Sequence, residues 1–321
     1  KTTTVNVGVD FALFRHRLSG TIEYYNKYSV DLLAAINGSP TQGFGYTTLM
    51  TNNGKMVNRG VEITLSGEII RQKDFSWNAS LLYAFNRNKV KHISVQPSLW
   101  DSRISMPTSY PMVGKPLYGI YAYKWAGLNE NGDPQVYDAE NNVTSGPARD
   151  YHALVYCGTT VPIHNASLTN VLRYKGFEFS AMLILDAGHK LRSSNIPSIN
   201  MSNGRITSTA KGIVDRWTQP GDVTDVPRLL FSNDTENFNT HRTELYRYSD
   251  LFVYDASNIR LSNISLAYRV PAHWCKKISL SGARLQFNVE NVATFAFDSK
   301  ANYDLGGKVK PNYVWGLYLN F

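Results

Sequence analysis

Large apolar side chains fall on every second residue over stretches of about ten positions, and the pattern recurs along the whole chain. The stretch from Phe75 is the cleanest. Phe75, Trp77, Ala79, Leu81, Tyr83 and Phe85 share one parity, and Ser76, Asn78, Ser80 and Asn86 fall on the other. The carboxyl end repeats it, with Tyr313, Trp315, Leu317, Leu319 and Phe321 alternating with Val314, Gly316, Tyr318 and Asn320. Side chains of a strand alternate between faces, so each stretch has one greasy face and one smaller, more polar face. A helix would space the apolar positions by about 3.6 residues instead.

Such strands need a solvent that tolerates them. A soluble sheet rarely ends on a strand like Tyr313–Phe321, because an unpaired apolar edge is a template for aggregation. A closed barrel in lipid removes the edge and turns the greasy face outward. Membrane helices are excluded, since they need about 20 consecutive apolar residues and the runs here are short, as in Ala181-Met182-Leu183-Ile184-Leu185. The mean hydropathy of −0.29 fits a barrel, because a membrane strand needs only alternation. Tyr contributes 20 residues and aromatics make up 12% of the chain; these side chains favour membrane–water interfaces.

Read in order, the pattern gives nine strands. They lie around Val5–Leu13, Leu18–Tyr24, Val57–Leu65, Phe75–Phe85, Ala166–Tyr174, Phe177–Leu185, Ile264–Val270, Ala283–Val289 and Tyr313–Phe321. Ile259 and Leu261 are out of phase with Ile264 and Leu266, so a bulge is expected near Ser262 and Asn263. A hairpin drawn from residues 117–137 around Asn129-Glu130-Asn131-Gly132-Asp133 would raise the count to eleven. That turn faintly resembles a calcium loop but lacks the carboxylates and the terminal Glu. Short charged turns at Arg15-His16-Arg17, Arg71-Gln72-Lys73-Asp74, Lys175-Gly176 and residues 271–277 alternate with long polar connections at 34–53 and 188–249. Outer-membrane barrels have that asymmetry, short periplasmic turns against longer extracellular loops. The carboxyl end falls on the short-turn side.

Other function classes find little support. The formal charge is +8, but the cations are scattered through turns rather than set in a basic helix or groove, so no nucleic-acid partner is expected. The histidines (His16, His92, His152, His164, His189, His241, His273) are dispersed, with no HExxH pair, P-loop or GxSxG elbow. No catalytic or metal-ligating set and no cofactor is expected. Cys157 and Cys275 belong to opposite ends of the barrel and should not be bonded. Glu178 and Asp186 fall on the inward face, as substrate or plug contacts or simply as a polar wall facing water. Trp100 and Tyr110 lie in an outer connection, where their rings could stack on sugars or pack within the loop.

Several motifs then resemble a known family. TNNGKMVNRGVE from Thr51 to Glu62 is similar to the segment of SusC/RagA-type TonB-dependent transporters where a loop re-enters the barrel. LSGTIEYYN from Leu18, YKGFEFS from Tyr174, DRW from Asp215, DASNIRLSNISLAY from Asp255 and NVENVATF from Asn288 also match. Tyr313, Trp315, Leu317, Leu319 and Phe321 resemble the carboxy-terminal insertion signal of bacterial outer-membrane barrels. The resemblance implies an all-β fold, the carboxy-terminal portion (about 9–11 antiparallel strands) of a large transmembrane barrel with 22 strands when complete. Residues 1–321 would form a single barrel segment, with the plug and amino-terminal strands on a preceding segment. The implied function is import of oligosaccharides or peptides. The implied partners are that segment, a SusD-like surface lipoprotein, TonB acting through the plug, and outer-membrane lipid. The alternative is a soluble or surface-exposed β-rich glycan-binding protein.

Overall fold

The computed structural model describes residues 1–37, 41, 43, 48–95, 102–146, 150–202, 205–229, 242–305 and 310–321. Nine strands build one antiparallel sheet: β1 (Thr2–Leu13), β2 (Leu18–Asn37), β3 (Thr48–Arg71), β4 (Phe75–His92), β5 (His164–Tyr174), β6 (Phe177–Ala187), β7 (Asn258–Arg269), β8 (Gly282–Ala296) and β9 (Asn312–Asn320). Each pairs with its neighbours in chain order, so the sheet is a simple up-and-down meander. β1 and β9 stand at its two ends, and among the described residues neither has a second neighbour.

Register sorts the side chains into two faces. Phe11, Gly20, Leu65, Leu81, Leu168, Leu183, Leu261 and Ala293 stand opposite one another in a single row across eight strands. Another row on that face holds Trp77, Leu172, Phe179, Leu266, Phe287 and Trp315. The opposite face carries Ser19, Ser66, Ser80 and Thr169 in one row and Ser180, Ser265 and Asn288 in another. From Phe75 to Phe85 is ten steps along β4, about 33 Å, or about 25 Å once a strand tilt of about 40° is allowed for. That equals the height of a membrane barrel's apolar band. Leu81 lies at its middle.

The bulge falls where the broken phase required it. Met182 pairs with Asn263 and Leu183 with Leu261, leaving Ser262 unpaired in β7. The slip puts Leu261 and Ile264 on the same face, so both apolar sets of β7 point outward. Close strand contact also demands glycine at Gly60 of β3. A Cβ there would collide with the Tyr25 ring and the Phe85 carbonyl oxygen, and the ring covers the bare backbone from the next strand.

The short turns lie together at one end, and the carboxyl terminus joins them there. Several expectations change in detail. Among the described residues the wall has nine strands rather than eleven. Gly119–Tyr123, Trp125–Leu128 and Pro134–Tyr137 are strands, but they form small sheets inside the long connection between β4 and β5. They run five, four and four residues, whereas crossing the bilayer takes about 9–11. Gly119–Tyr123 is also buried on both faces, which a membrane strand is not. The turn at Gly132 (φ 74°) does close a hairpin between Trp125–Leu128 and Pro134–Tyr137. The connection expected at 34–53 is shorter, because β2 and β3, 20 and 24 residues long, run on past the band. Residues 188–249 are not structureless, carrying Lys190–Arg192, Ile199–Ser202, Arg205–Thr209 and a helix at Arg242–Arg247. The turn after β7 contains the short helix Ala272–Lys276.

Candidate functional site

The polar face of the wall and the loop unit above it can each meet a ligand or partner. On the polar face, Asp186 is held from the strands on either side. Its Oδ1 accepts from Asn165 Nδ2 at 2.7 Å and its Oδ2 from Arg260 Nη2 at 2.9 Å. Asn165 and Asp186 are cross-strand partners, as are Asp186 and Asn258. Beside them lies a groove of about 330 Å³ lined by Glu62, Thr64, Leu82, Asn165, Ser167, Ile184 and Asp186 among others. Leu82 is 52% exposed there and shares its row with Ile184, an apolar patch on a largely polar face. Nearer the short turns, Glu178 accepts from Arg173 Nε at 2.7 Å and Arg284 Nη2 at 3.2 Å. The two carboxylates therefore sit at opposite ends of β6, each in its own cross-strand pair, and do not share a site.

Above the wall, the connections pack on each other. Tyr121, Tyr123, Val136, Ala153, Leu154 and Leu245 form a buried core, with Ile104, Met112, Trp125 and Tyr248 against it. Gly119–Tyr123 pairs with Leu154–Thr159, and Tyr123 bridges to Ser249, so the β4–β5 and β6–β7 connections fold as one body. Asp133 ties them further. It accepts from Arg242 Nε at 2.6 Å and Arg228 Nε at 3.2 Å. That carboxylate, at the end of the turn with faint calcium-loop likeness, is spent on two arginines. The β8–β9 connection joins through Asp304, which accepts from the Ser193 hydroxyl at 2.7 Å and the Ser194 backbone N–H at 3.0 Å.

The remaining sequence candidates fall as follows. Tyr110 is buried, 9% exposed, which favours packing over stacking on a sugar. Trp100 lies outside the described residues. Tyr313, Trp315, Leu317 and Leu319 are exposed on the apolar face of β9, with Phe287 packed on Trp315 at 4.2 Å between ring centroids. Phe321, just past β9, is 92% exposed. Cys157 is in the loop strand Leu154–Thr159 and Cys275 in the helix at the opposite end. The 11 residues of β6 between those ends span about 36 Å, against a limit of about 7 Å between bonded Cα atoms. Burial pushes the Cys157 thiol up to about 11.

An up-and-down wall with one apolar face and one-sided loops matches a known group. The family profile described as TonB dependent receptor-like, beta-barrel matches residues 1–292. The chain belongs to this family. It is 25% identical over 335 residues to TonB-dependent receptor P3 of Formosa agariphila, covering 98% of this chain and 32% of the receptor. It is 25% identical over 305 residues to TonB-dependent receptor SusC of Bacteroides thetaiotaomicron, covering 91% of this chain and 28% of SusC. Among solved structures, the RagAB peptide transporter superposes over all of this chain and 35% of the matched one, with a TM-score of 0.75 at 22% identity. The chain thus spans about a third of the length of these relatives.

As wall of a TonB-dependent receptor barrel, this sheet stands in the outer membrane. Its apolar face meets lipid and its polar face the lumen, which sets aside a soluble protein. The short turns are periplasmic and the loop unit is extracellular. Trp77, Leu81, Phe85, Leu183, Phe287 and Leu317 lie on the lipid face, and Ser80 and Asn288 on the lumen face, as expected. Sequence reading missed the partners Asn165, Arg260 and Arg284, because a cross-strand pair shows only when register is known. It also missed Glu62 and Leu82 in the groove, although their even parity was the signal available.

Proposed function

We propose that the chain is the carboxy-terminal wall segment of a SusC/RagA-type importer for oligosaccharides or peptides, energised by TonB. It performs transport and no catalysis. The observation that carries this reading is the arc itself. It is lipophilic outside, polar inside, and open along both edges, β1 and β9. The open edges call for further strands, since an unpaired backbone group in hydrocarbon costs several kcal/mol. We assign those strands and the plug to a preceding segment, completing a 22-stranded barrel, with residues 1–321 as one unit. The relatives named SusC and RagAB support a SusD-like lipoprotein over the extracellular loop unit. That unit supplies a firm platform, because its connections share a core.

Within the lumen, Glu62, Asn165 and Asp186 face the passage and serve as contacts for the plug or for cargo hydroxyls and amides. Glu178, pinned by Arg173 and Arg284, stiffens the periplasmic rim. Tyr313, Trp315, Leu317, Leu319 and Phe321 serve as the insertion signal on the lipid face. The test is uptake of labelled oligosaccharide and peptide pools by cells carrying the intact protein. Uptake of one pool that stops when TonB or the proton-motive force is removed is the expected result. Uptake indifferent to both refutes energised import.

A further inference from the structure

One cavity is separate from the lumen groove beside Asp186. It measures about 580 Å³ and opens at the extracellular end of β3 and β4. Val57 and Arg59 of β3 line it, with Phe85, Arg87, Lys89 and Lys91 of β4. The overlying connection adds Lys115, Tyr156, Val161 and Ile163. Register fixes which side of the wall this is. Val57 pairs with Lys89, Arg59 with Arg87 and Val61 with Phe85, with no slip down to the pair Leu65–Leu81. These residues therefore share the lipid face with Leu81. The cavity opens to the outside of the barrel along these positions, with Asn86 and Asn88 of the opposite parity at its inner side, and Arg87 and Lys89 are the next two same-face positions above Phe85, the top of the apolar band.

Its charge is one-sided. Among the described residues five lining side chains are cations (Arg59, Arg87, Lys89, Lys91 and Lys115) and no carboxylate lines it. Among the described residues none of the five is in an ion pair. Arg59 donates to the neutral Asn26 at 3.3 Å, and the Lys115 ammonium sits 4.9 Å from the Tyr156 ring centroid. Neither contact supplies a counter-charge. Elsewhere on the wall, Arg173 and Arg260 each have a carboxylate on the neighbouring strand, and Arg284 reaches one across β7. Five like charges around one hollow repel unless an anion joins them.

We propose that this cavity binds the phosphate-bearing headgroup of an outer-leaflet lipid. The level is right: the hollow begins where the apolar band ends, which is where lipid headgroups lie. The chemistry is right: arginine forks grip phosphate oxygens bidentately and lysines add compact charge. The floor is apolar. Val57, Phe85 and Ile163 would take the first carbons of the acyl chains, which a free phosphate has no use for. An acidic protein segment would need to lie against the bilayer at headgroup depth. The inference rests on the outer-membrane placement and not on what the barrel imports.

The test uses the intact protein extracted from outer membranes in mild detergent. Native mass spectrometry reads the bound lipid after addition of a bisphosphorylated glycolipid or of phosphatidylethanolamine, with and without inorganic phosphate. The glycolipid should persist as a discrete adduct, and replacing all five cations by Gln should weaken it at least about tenfold. Lys276→Gln with Lys277→Gln, at the periplasmic end, should leave the adduct unchanged. Heat-modifiable gel mobility reports that each variant is folded. Equal retention by the five-Gln variant overturns the proposal. Displacement by inorganic phosphate, equal binding of phosphatidylethanolamine, or an acidic peptide in place of lipid overturns the assignment to an outer-leaflet lipid.

Discussion

Two neighbouring residues of β4 give the sharpest test of which face meets lipid. Leu81 and Ser80 are at almost the same depth, and their side chains leave the strand in opposite directions. Leu81 stands in the leucine row between Leu65 and Leu168. Ser80 is exposed on the lumen face, its hydroxyl 3.3 Å from that of Ser66. Arg at Leu81 places a guanidinium at the bilayer midplane, which costs about 2–4 kcal/mol on a barrel's lipid face. That lowers the folded-to-unfolded ratio by about 30- to 900-fold. Arg at Ser80 projects into a polar, watery lumen and loses at most the hydroxyl contact, about 1 kcal/mol. Folding into lipid vesicles over a urea series, read by heat-modifiable gel mobility, measures both. Leu81→Arg should fall well below the unmodified protein, with Ser80→Arg close to it. Equal losses, or a larger loss for Ser80→Arg, would refute the assignment of faces.

Gly60→Ala should cost about 1–3 kcal/mol by overpacking, and adding Tyr25→Ala should recover only part of it, since the Phe85 carbonyl still blocks the Cβ; barrel yield in the membrane reads both. Arg242→Ala strips one of the two arginines from Asp133, where the Arg242 side chain is only 11% exposed. The loop unit should lose about 3 kcal/mol and become protease-sensitive, while the wall keeps its gel mobility. Asp255 gives a pH signature. Burial opposes its charge, but hydrogen bonds from Ser257 and the ion pair with Lys190 outweigh burial and hold it at about 2. A carboxylate depressed on folding stabilises above its unfolded value of about 3.9. Amide-exchange protection around Lys190–Arg192 should therefore hold at neutral pH and fade as pH drops from about 4 through about 2, and Asp255→Asn should remove that step.

The wall was legible because a two-residue period is written directly into β4, β6 and β9. A bulge was legible in β7 because it has to reconcile two out-of-phase apolar sets. Of the loop unit, only the hairpin at Gly132 was. In Gly119–Tyr123 all five positions are buried, so alternation, the only strand signal in use, is absent. Tyr121 and Tyr123 sit there in a core that depends on Leu154 and Leu245, contributed by distant stretches of the chain. The cationic hollow illustrates a different blindness. Arg59, Arg87 and Lys115 are scattered singly in sequence and looked like ordinary solvated charges. Only the β3–β4 register and the returning connection bring them around one space.

Strand direction shows why this arc cannot close on itself. β1 runs toward the periplasmic turns, each neighbour reverses, and after nine antiparallel strands β9 runs the same way as β1. Pairing β1 with β9 would therefore be parallel, the one parallel pair in an otherwise antiparallel meander. Barrels of this kind are antiparallel throughout. Any completing segment must contribute an odd number of strands, so that one strand of opposite direction meets each free edge; thirteen would bring the arc to the 22 that the family resemblance implies. The faces agree with this. Val5, Val7 and Val9 on β1 and Trp315 and Leu317 on β9 are all well exposed, with strand edges and lipid faces both uncovered. In the intact protein, cysteine pairs linking β1 to β9, such as Val7→Cys with Trp315→Cys or Val9→Cys with Leu317→Cys, should fail to cross-link under oxidation. A disulfide in either pair would show that the two edges meet, and the wall would then have to be a small barrel of nine strands.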